Sequence, residues 1–142
     1  MTGRKGLVLD ANILLRVVFG KQVLHILEKY ENEARFYTPD VCFRDAQKYI
    51  PVISRDRRFD AKLSLSILDH TIRIVEQVDQ SLYEECEDAA RGRIGSRVPK
   101  IGRLSRQSLL LALPIWTEDQ DFFGSGIATW TTDRVELYLW ER

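Results

Sequence analysis

The sequence contains only two cysteines, Cys42 and Cys86, and their separation matches no metal-binding or redox motif. We therefore expect buried free thiols in a reducing compartment. The chain also lacks a charge excess, because 21 Lys and Arg residues balance 21 Asp and Glu residues. A domain that holds nucleic acid by its overall charge usually has a basic excess. Any contact with nucleic acid must therefore come from a local patch.

No stretch is apolar for long enough to cross a membrane, and residues 1–5 do not resemble a signal peptide. We therefore expect a cytoplasmic protein with no membrane partner. Repeats, low-complexity tracts and convincing linkers are missing too. A length of 142 residues fits one domain spanning 1–142, with a core that needs no disulfide or structural metal.

The sequence does contain alternating apolar runs and amphipathic stretches. Apolar runs predict strands at 7–9, 35–37, 72–75 and 114–117, and β-favouring residues at 128–131 and 135–139 end the chain. Helical spacing predicts helices at 11–19, 23–30, 39–53, 63–68, 81–94 and 104–113, with a charged loop at 55–60. Thr38 is expected to cap the helix that starts at Pro39, which either kinks at Pro51 or ends before it. This alternation predicts an α/β fold with a parallel sheet covered by helices on both faces.

Acidic residues follow two of the predicted strands. Asp10 comes directly after the first strand, and Asp119 and Asp121 come just after the fourth. Ligands of open α/β sheets bind at these carboxyl ends. Asp45 lies in the helix after the second strand, next to apolar Ala46, where a carboxylate is costly unless it is paired or bound to metal.

Carboxylates gathered in one crevice would repel each other, and a divalent cation would offset that repulsion. Ligands that are all oxygen favour Mg²⁺ or Mn²⁺ over zinc. Such an ion polarises a phosphoryl oxygen and lowers the pKa of a bound water, which supplies hydroxide for attack on phosphorus. Acids from separate segments, as found here, are what this chemistry needs.

Each of these residues also has a purely structural interpretation. Asp10 can be the N-cap of the following helix, and Asn12 can serve in the same turn. Asp45 can be a solvated helix acid, and residues 118–121 can form a solvated turn. Thr117, Thr131 and Thr132 can orient a carboxylate or simply be strand hydroxyls. Composition and spacing alone leave these alternatives open.

Three segments in order resemble one known family. Residues 7–14, Leu-Val-Leu-Asp-Ala-Asn-Ile-Leu, resemble the opening strand and first acid of PIN-domain nucleases. Residues 38–45 resemble their second segment, where an acid, commonly Glu, projects from a helix. Residues 116–123 resemble their late acidic motif, and 129–138 resemble the end of a bacterial subgroup close to VapC-type toxins. The similarity runs over nearly the whole chain.

This resemblance implies a three-layer α/β/α fold and a Mg²⁺- or Mn²⁺-dependent endoribonuclease. It also implies a toxin that pairs with a small antitoxin protein and commonly dimerises. By position, Asp10, Asp45 and Asp119 would be metal ligands, with Asp45 one methylene shorter than the usual Glu. Asp121 would be an additional ligand or would support the others, and Asn12 would orient the site.

The chain departs from the family at a third acid, which the family places in an Asp-Trp-Pro-like stretch before the late strand. Counting back without gaps from Pro114 puts that stretch at Ile101-Gly102-Arg103, and no acid occurs between Asp88 and Glu118. Asp-Trp-Pro coded GAT-TGG-CCG reads Ile-Gly-Arg one nucleotide later. We therefore hypothesise that paired frameshifts rewrote residues 101–113. A gene in which neither alternative frame encodes a helix with an acid would refute this.

The missing acid leaves two functions open, an impaired ribonuclease toxin or a non-catalytic PIN domain that binds an antitoxin or RNA. A nuclease of the 5′-nuclease type is less suitable, because the chain lacks room for the usual additional elements. For RNA contact, the candidates in or directly before the rewritten segment are Lys100, Arg103 and Arg106, and others are Arg55, Arg57, Arg58, Arg91, Arg93 and Arg97. The alternative is that these residues are scattered solvent-facing charges.

Overall fold

The computed structural model describes residues 5–79, 113–119 and 128–140. Its five strands are β1 (Lys5–Leu9), β2 (Ala34–Pro39), β3 (Val75–Val78), β4 (Ile115–Trp116) and β5 (Thr129–Trp130). They form one sheet in the order β3-β2-β1-β4-β5, and every neighbouring pair is parallel. The predicted parallel sheet is confirmed, with β1 at its centre.

The helices of the described residues are α1 (Ala11–Phe19), α2 (Gln22–Tyr30), α3 (Asp40–Asp56), α4 (Ala61–Thr71) and α5 (Val135–Trp140). Together with the sheet they form the three-layer α/β/α fold that the resemblance implies. None of these helices has the length and apolar character needed to span a bilayer. The helices predicted at 81–94 and 104–113 lie outside the described residues.

The side chains of β1 alternate between the two faces of the sheet. Leu7 and Leu9 belong to the larger buried cluster, to which all five described helices contribute. Val8 points the other way and packs with Ala11, Ile115 and the buried thiol of Cys42, which forms no disulfide. Burial of each large aliphatic side chain contributes roughly 1.5–3 kcal/mol, which is why β1 reads as a continuous apolar run. Cys86 lies outside the described residues.

The order of the strands creates a crevice beside β1. Strands β2 and β3 lie on one side of β1, and β4 lies on the other side, where Leu9 is opposite Trp116. Ligands of open α/β sheets bind where the strand order reverses, outside the carboxyl ends of the strands. Asp10 and Thr117 directly follow the paired residues Leu9 and Trp116, so both lie at this crevice.

The predicted cap of α3 is wrong. Thr38 lies within β2, where its buried hydroxyl donates a hydrogen bond to the carbonyl oxygen of Leu9 at 2.8 Å. Pairing with β3 extends β2 through Thr38 to Pro39, and α3 begins at Asp40 without a side-chain cap. The hydroxyl is therefore used to join β2 to β1 instead of starting the helix.

The helix α3 also runs further than one of the two predicted alternatives allows. It continues through Pro51 to Asp56, so the charged loop begins at Arg57 instead of Arg55. Pro51 has no amide hydrogen for the carbonyl of Gln47, which lies one turn earlier. Gln47 is exposed, so water can replace the missing donor.

The structure corrects the predicted strands at 72–75 and 135–139. Residues 72–74 form turns after α4, and β3 starts at Val75, because the amides of Arg73 and Ile74 bond back to the end of that helix. Residues 135–140 form α5 despite their preference for strands. Val135 and Leu139, four residues apart, are buried while Leu137 is exposed, so core packing overrides β-propensity here.

Polar contacts attach α5 to α2. Lys29 Nζ and the hydroxyl of Tyr30 both donate to Glu136 Oε2, at 3.1 Å and 3.0 Å. The bond from Lys29 lowers the pKa of the Glu136 carboxyl, and the same bond raises the pKa of Lys29. Burial raises the pKa of Tyr30. Nearby, the hydroxyl of Tyr138 donates to the carbonyl of Gly6 at 2.9 Å, so α5 is also fastened to β1, and burial raises the pKa of Tyr138.

The substitution Thr38→Val tests the bond between β2 and β1. It keeps the side-chain shape but leaves the buried carbonyl of Leu9 without this donor, so we expect a loss of about 1–3 kcal/mol in the free energy of unfolding, measured with urea. Thr71→Val is the matched control. The hydroxyl of Thr71 donates to the carbonyl of Ile67, which the α-helix already pairs with an amide, so a smaller loss is expected. Equal losses in the two variants would contradict this account.

Candidate active site

Asp10 lies at the end of the central strand and is 2% exposed. It is the N-cap of α1, and its Oδ1 accepts a hydrogen bond from the amide of Ala11 at 2.7 Å. Its own amide donates to the carbonyl of Trp116 at 3.1 Å, which continues the pairing of β1 with β4. The structural interpretation of Asp10 as a cap is therefore correct. Capping also fixes the carboxylate at the crevice.

Two further donors reach the other oxygen of this carboxylate. Asn12 Nδ2 donates to Asp10 Oδ2 at 2.9 Å, and the hydroxyl of Thr117 donates to the same atom at 2.8 Å. The three bonds come from α1 and from the residue after β4. They compensate for withdrawing a negative charge from water, because a buried charge is tolerated only with good hydrogen-bond partners.

The side-chain amide of Asn12 bridges α1 and the turn after β4. Besides Asp10, its Nδ2 group donates to Thr117 Oγ1 at 3.1 Å, and its Oδ1 accepts from the amide of Glu118 at 3.3 Å. Both ends of the amide are therefore engaged, which determines its orientation. Asn12 therefore ties the Asp10 carboxylate to the turn after β4, and its part in a catalytic site stays a prediction.

Thr117 is the hydrogen-bond centre of this cluster. Its fully buried hydroxyl gives its one proton to Asp10 and accepts from Asn12 and from the amide of Asp119 at 3.0 Å. One donor and two lone pairs are all that a hydroxyl has, so its capacity is used completely. The bond to the Asp119 amide brings the backbone of this second acidic residue next to Asp10. We call Asp10, Asn12, Thr117 and Asp119 the strand-end cluster.

Glu118 has a structural part that the sequence did not reveal. Its Oε2 accepts from the amide of Thr132 at 3.0 Å, at the entrance to α5. The indole of Trp116 donates to the hydroxyl of the same Thr132 at 3.1 Å. The interpretation of 118–121 as a solvated turn missed this contact because the partner lies in a later segment, and no local spacing indicates it.

Asp45 is not joined to the strand-end cluster by any bond between described residues. It lies on the second turn of α3, half-buried, three residues after Cys42. Among residues 5–79, 113–119 and 128–140, no three acidic, His or Cys side chains lie together as a metal-binding group. The role of Asp45 as a metal ligand stays a prediction.

Several other predicted residues fall outside the described parts of the chain. They are Asp121, Lys100, Ile101, Arg103 and Arg106. Only the last residue of the segment proposed to be rewritten, Leu113, is described. It packs against the smaller core cluster, and its methyl groups lie 2.8 Å and 2.9 Å from where a Cβ on Gly6 would be. The end of this segment therefore still packs on the sheet, and a side chain at position 6 would displace it.

The chemistry of the strand-end cluster is that of hard oxygen donors. The carboxylate of Asp10 and the backbone of Asp119 lie at the end of β1, and the side chains of Asn12 and Thr117 are used in the hydrogen bonds between them. No described His or Cys belongs to the cluster. Mg²⁺ usually takes one or two protein carboxylates and keeps several waters, so this donor set fits it. Zinc would favour nitrogen or sulfur ligands.

Fold and site together define an open α/β protein with acidic residues where its strand order reverses. The chain belongs to the PIN domain family, whose sequence pattern matches residues 8–140.

Solved structures show the same fold. A chain in the crystal structure of VapBC2 from Rickettsia felis, bound to a DNA fragment from their promoter, matches with a TM-score of 0.65 and 11% identity. The match covers 89% of this chain and 98% of that one. Comparison with curated proteins finds no matching sequence.

The substitution Thr117→Val tests the cluster directly. It removes the donor to Asp10 and the acceptor for the Asp119 amide, so we expect a loss of about 1–3 kcal/mol in the free energy of unfolding. Hydrogen exchange at the Asp119 amide should accelerate as well. Thr117→Ser keeps the hydroxyl and is the matched control, so its Asp119 amide should stay protected. Protection that survives in Thr117→Val would show that the bond does not exist in solution.

Proposed function

We propose that this chain is a metal-dependent endoribonuclease of a toxin–antitoxin pair whose activity is impaired by the missing acid near Ile101. PIN domains are generally nucleases, and the family assignment supports the class of reaction. The observation that carries the proposal is the strand-end cluster, which holds two acidic residues at the crevice through a shared threonine hydroxyl.

The residues of the cluster have separate parts in the proposed site. Asp10 and Asp119 would hold Mg²⁺ or Mn²⁺, with Asp45 and Asp121 as further ligands. Once bound, the ion would polarise the phosphodiester and lower the pKa of a water. Asn12 and Thr117 keep the Asp10 carboxylate in one orientation, since both donate to its Oδ2. A fixed ligand avoids the cost of reorganising when charge develops on the phosphate.

Impairment follows from the number of carboxylates. The described residues place two acids in the cluster, and the sequence has none where the family has its third. Losing even the groups that support metal ligands typically reduces affinity or activity about 10–100-fold. Arg103 and Arg106, proposed together with Lys100 to contact RNA, would also repel a cation if they lie near the crevice.

The proposed partners are an RNA substrate, a small antitoxin protein and a second copy of the chain. One similar solved structure is a VapBC2 complex, which supports an antitoxin partner. We also propose that the protein acts in the cytoplasm, where its RNA substrates would be found.

One observation favours a second candidate, a non-catalytic PIN domain that binds an antitoxin or RNA. Asp10 already has a complete structural task, because it caps α1 and accepts three hydrogen bonds. If Asp10 serves only this structural task, the protein can fold correctly and still have no nuclease activity.

An RNA cleavage assay with Mn²⁺ separates the two candidates. We expect slow cleavage by the chain as given, none after Asp10→Asn, and cleavage about 10–100-fold faster after Ile101→Asp, which restores the missing carboxylate. Circular dichroism checks that each variant is folded. If the folded chain and the folded Ile101→Asp variant are both inactive while RNA or antitoxin still binds, the protein is a binding domain and not a nuclease.

A further inference from the structure

A groove of about 430 Å³ runs beside the end of α1. Its walls come from the last turns of α1, the start of α2, the late part of α3 and Thr132 before α5. This volume is in the range of ligand-binding clefts. None of its lining residues belongs to the strand-end cluster, so the groove is a separate feature of the surface.

The groove is basic although the chain as a whole is neutral. Arg16, Lys21 and Arg57 line it, all three are exposed, and no Asp or Glu is among its described lining residues. No described acid forms an ion pair with any of these three cations. The nearby Asp60 caps α4 through the amide of Lys62 instead.

A second cavity of similar size gives the comparison. It lies along the other side of the sheet, and its two basic residues, Arg35 and Arg73, are accompanied by Glu31 and Glu76. Of these two cavities, only the first groove therefore has an excess of positive charge among its described lining residues. A neutral chain needs such a local patch to bind nucleic acid.

Aromatic rings lie beside these cations. The guanidinium of Arg57 lies 5.8 Å from the ring centre of Phe19, which lines the groove. Phe59 contacts Phe19 with 5.7 Å between ring centroids, yet it is 53% exposed. Exposed rings next to Arg and Lys are the combination that binds single-stranded nucleic acid, because bases stack on the rings while phosphates meet the cations.

The backbone at the end of α3 holds Phe59 in this place. Arg58 has a positive φ of 61°, where glycine is usual. The amides of Phe59 and Arg58 return to the carbonyls of Ser54 and Arg55, at 2.7 Å and 3.3 Å, which is the hydrogen-bond pattern of a Schellman cap.

The groove adjoins the strand-end cluster at two points. Thr132 lines the groove and also accepts from Trp116 and donates its amide to Glu118, which neighbours Asp119. Arg16 lies four residues after Asn12 on α1, which places it about 6 Å further along the helix on the same side. A nucleic-acid strand that lies in the groove can therefore continue into the crevice.

We propose that this groove binds a single-stranded segment of RNA adjacent to the phosphodiester at the strand-end cluster. The proposal rests on the proposed ribonuclease function. Arg16, Lys21 and Arg57 contact phosphates, and the exposed face of Phe59 stacks on a base. These contacts are distinct from those predicted at Lys100, Arg103 and Arg106.

Binding of a fluorescent single-stranded RNA, measured by anisotropy in EDTA, tests the groove without cleavage. Arg16→Gln/Arg57→Gln should weaken binding and reduce the slope of log affinity against log salt by about 1.4, because each phosphate that is no longer neutralised accounts for about 0.7. Arg35→Gln/Arg73→Gln removes the same charge from the second cavity and should bind like the unmodified chain. Arg16→Gln/Lys21→Gln keeps the contact between Arg57 and Phe19, so it separates binding from folding.

Stacking is tested with Phe59→Leu, which keeps an apolar side chain but removes the ring. We expect RNA binding to weaken between about 5-fold and 100-fold. The matched control is Tyr49→Leu, because Tyr49 is an equally exposed ring, at 48%, that neither lines the groove nor pairs with Phe19, as Phe59 does. Equal effects of the two variants would overturn the stacking role of Phe59.

The outcomes distinguish this inference from the proposed function. RNA binding that depends on the groove, in a chain that never cleaves RNA, supports the inference and refutes the nuclease. Absence of RNA binding, or binding that all groove variants retain, overturns the inference even if cleavage is observed. The inference is also overturned if the groove variants still bind RNA but no longer bind a polyglutamate peptide. That result would assign the groove to an acidic protein segment.

Discussion

Burying the Asp10 carboxylate at the end of the central strand is the constraint on which the rest of the site depends. A negative charge that is 2% exposed needs donors, and the chain supplies them from α1 and from the residue after β4. Meeting this need fixes the start of α1, uses the hydroxyl of Thr117 completely and sets Asp119 beside the crevice. The same bonds that make Asp10 tolerable in the fold also fix the orientation of its carboxylate.

The arrangement of the sheet was predictable from the sequence, and the ends of several elements were not. Alternating apolar runs and helical spacing indicated a parallel sheet, because such runs must be buried on both faces. The predictions of a helix cap at Thr38 and a strand at 135–139 were wrong for the same reason. In both places, contacts with distant residues outweighed the local preference of the sequence. Thr38 bonds across to Leu9, and Val135 and Leu139 pack into the core as one helical face.

The site was predictable in its centre but not in its connections. A carboxylate directly after a predicted buried strand pointed to Asp10, and Asn12 two residues later was within reach. Thr117 was recognised only as one of several hydroxyls, since its value lies in three partners from distant segments. The contact of Glu118 with Thr132 had no sequence signal. The role of Asp45 as a ligand stays a prediction. Asp45 lies on a helix, so its position relative to the strand ends depends on how that helix packs, which local sequence does not specify.

The central claim is that Asp10 and Asp119 share one divalent ion. Titration of the isotope-labelled chain with Mn²⁺, followed by paramagnetic broadening of amide resonances, tests it most directly. We expect the amides of residues 10–12 and 117–119 to broaden first, and Asp10→Asn to abolish this local effect while the spectrum remains that of a folded protein. Broadening that begins elsewhere, or that is the same in Asp10→Asn, would contradict it.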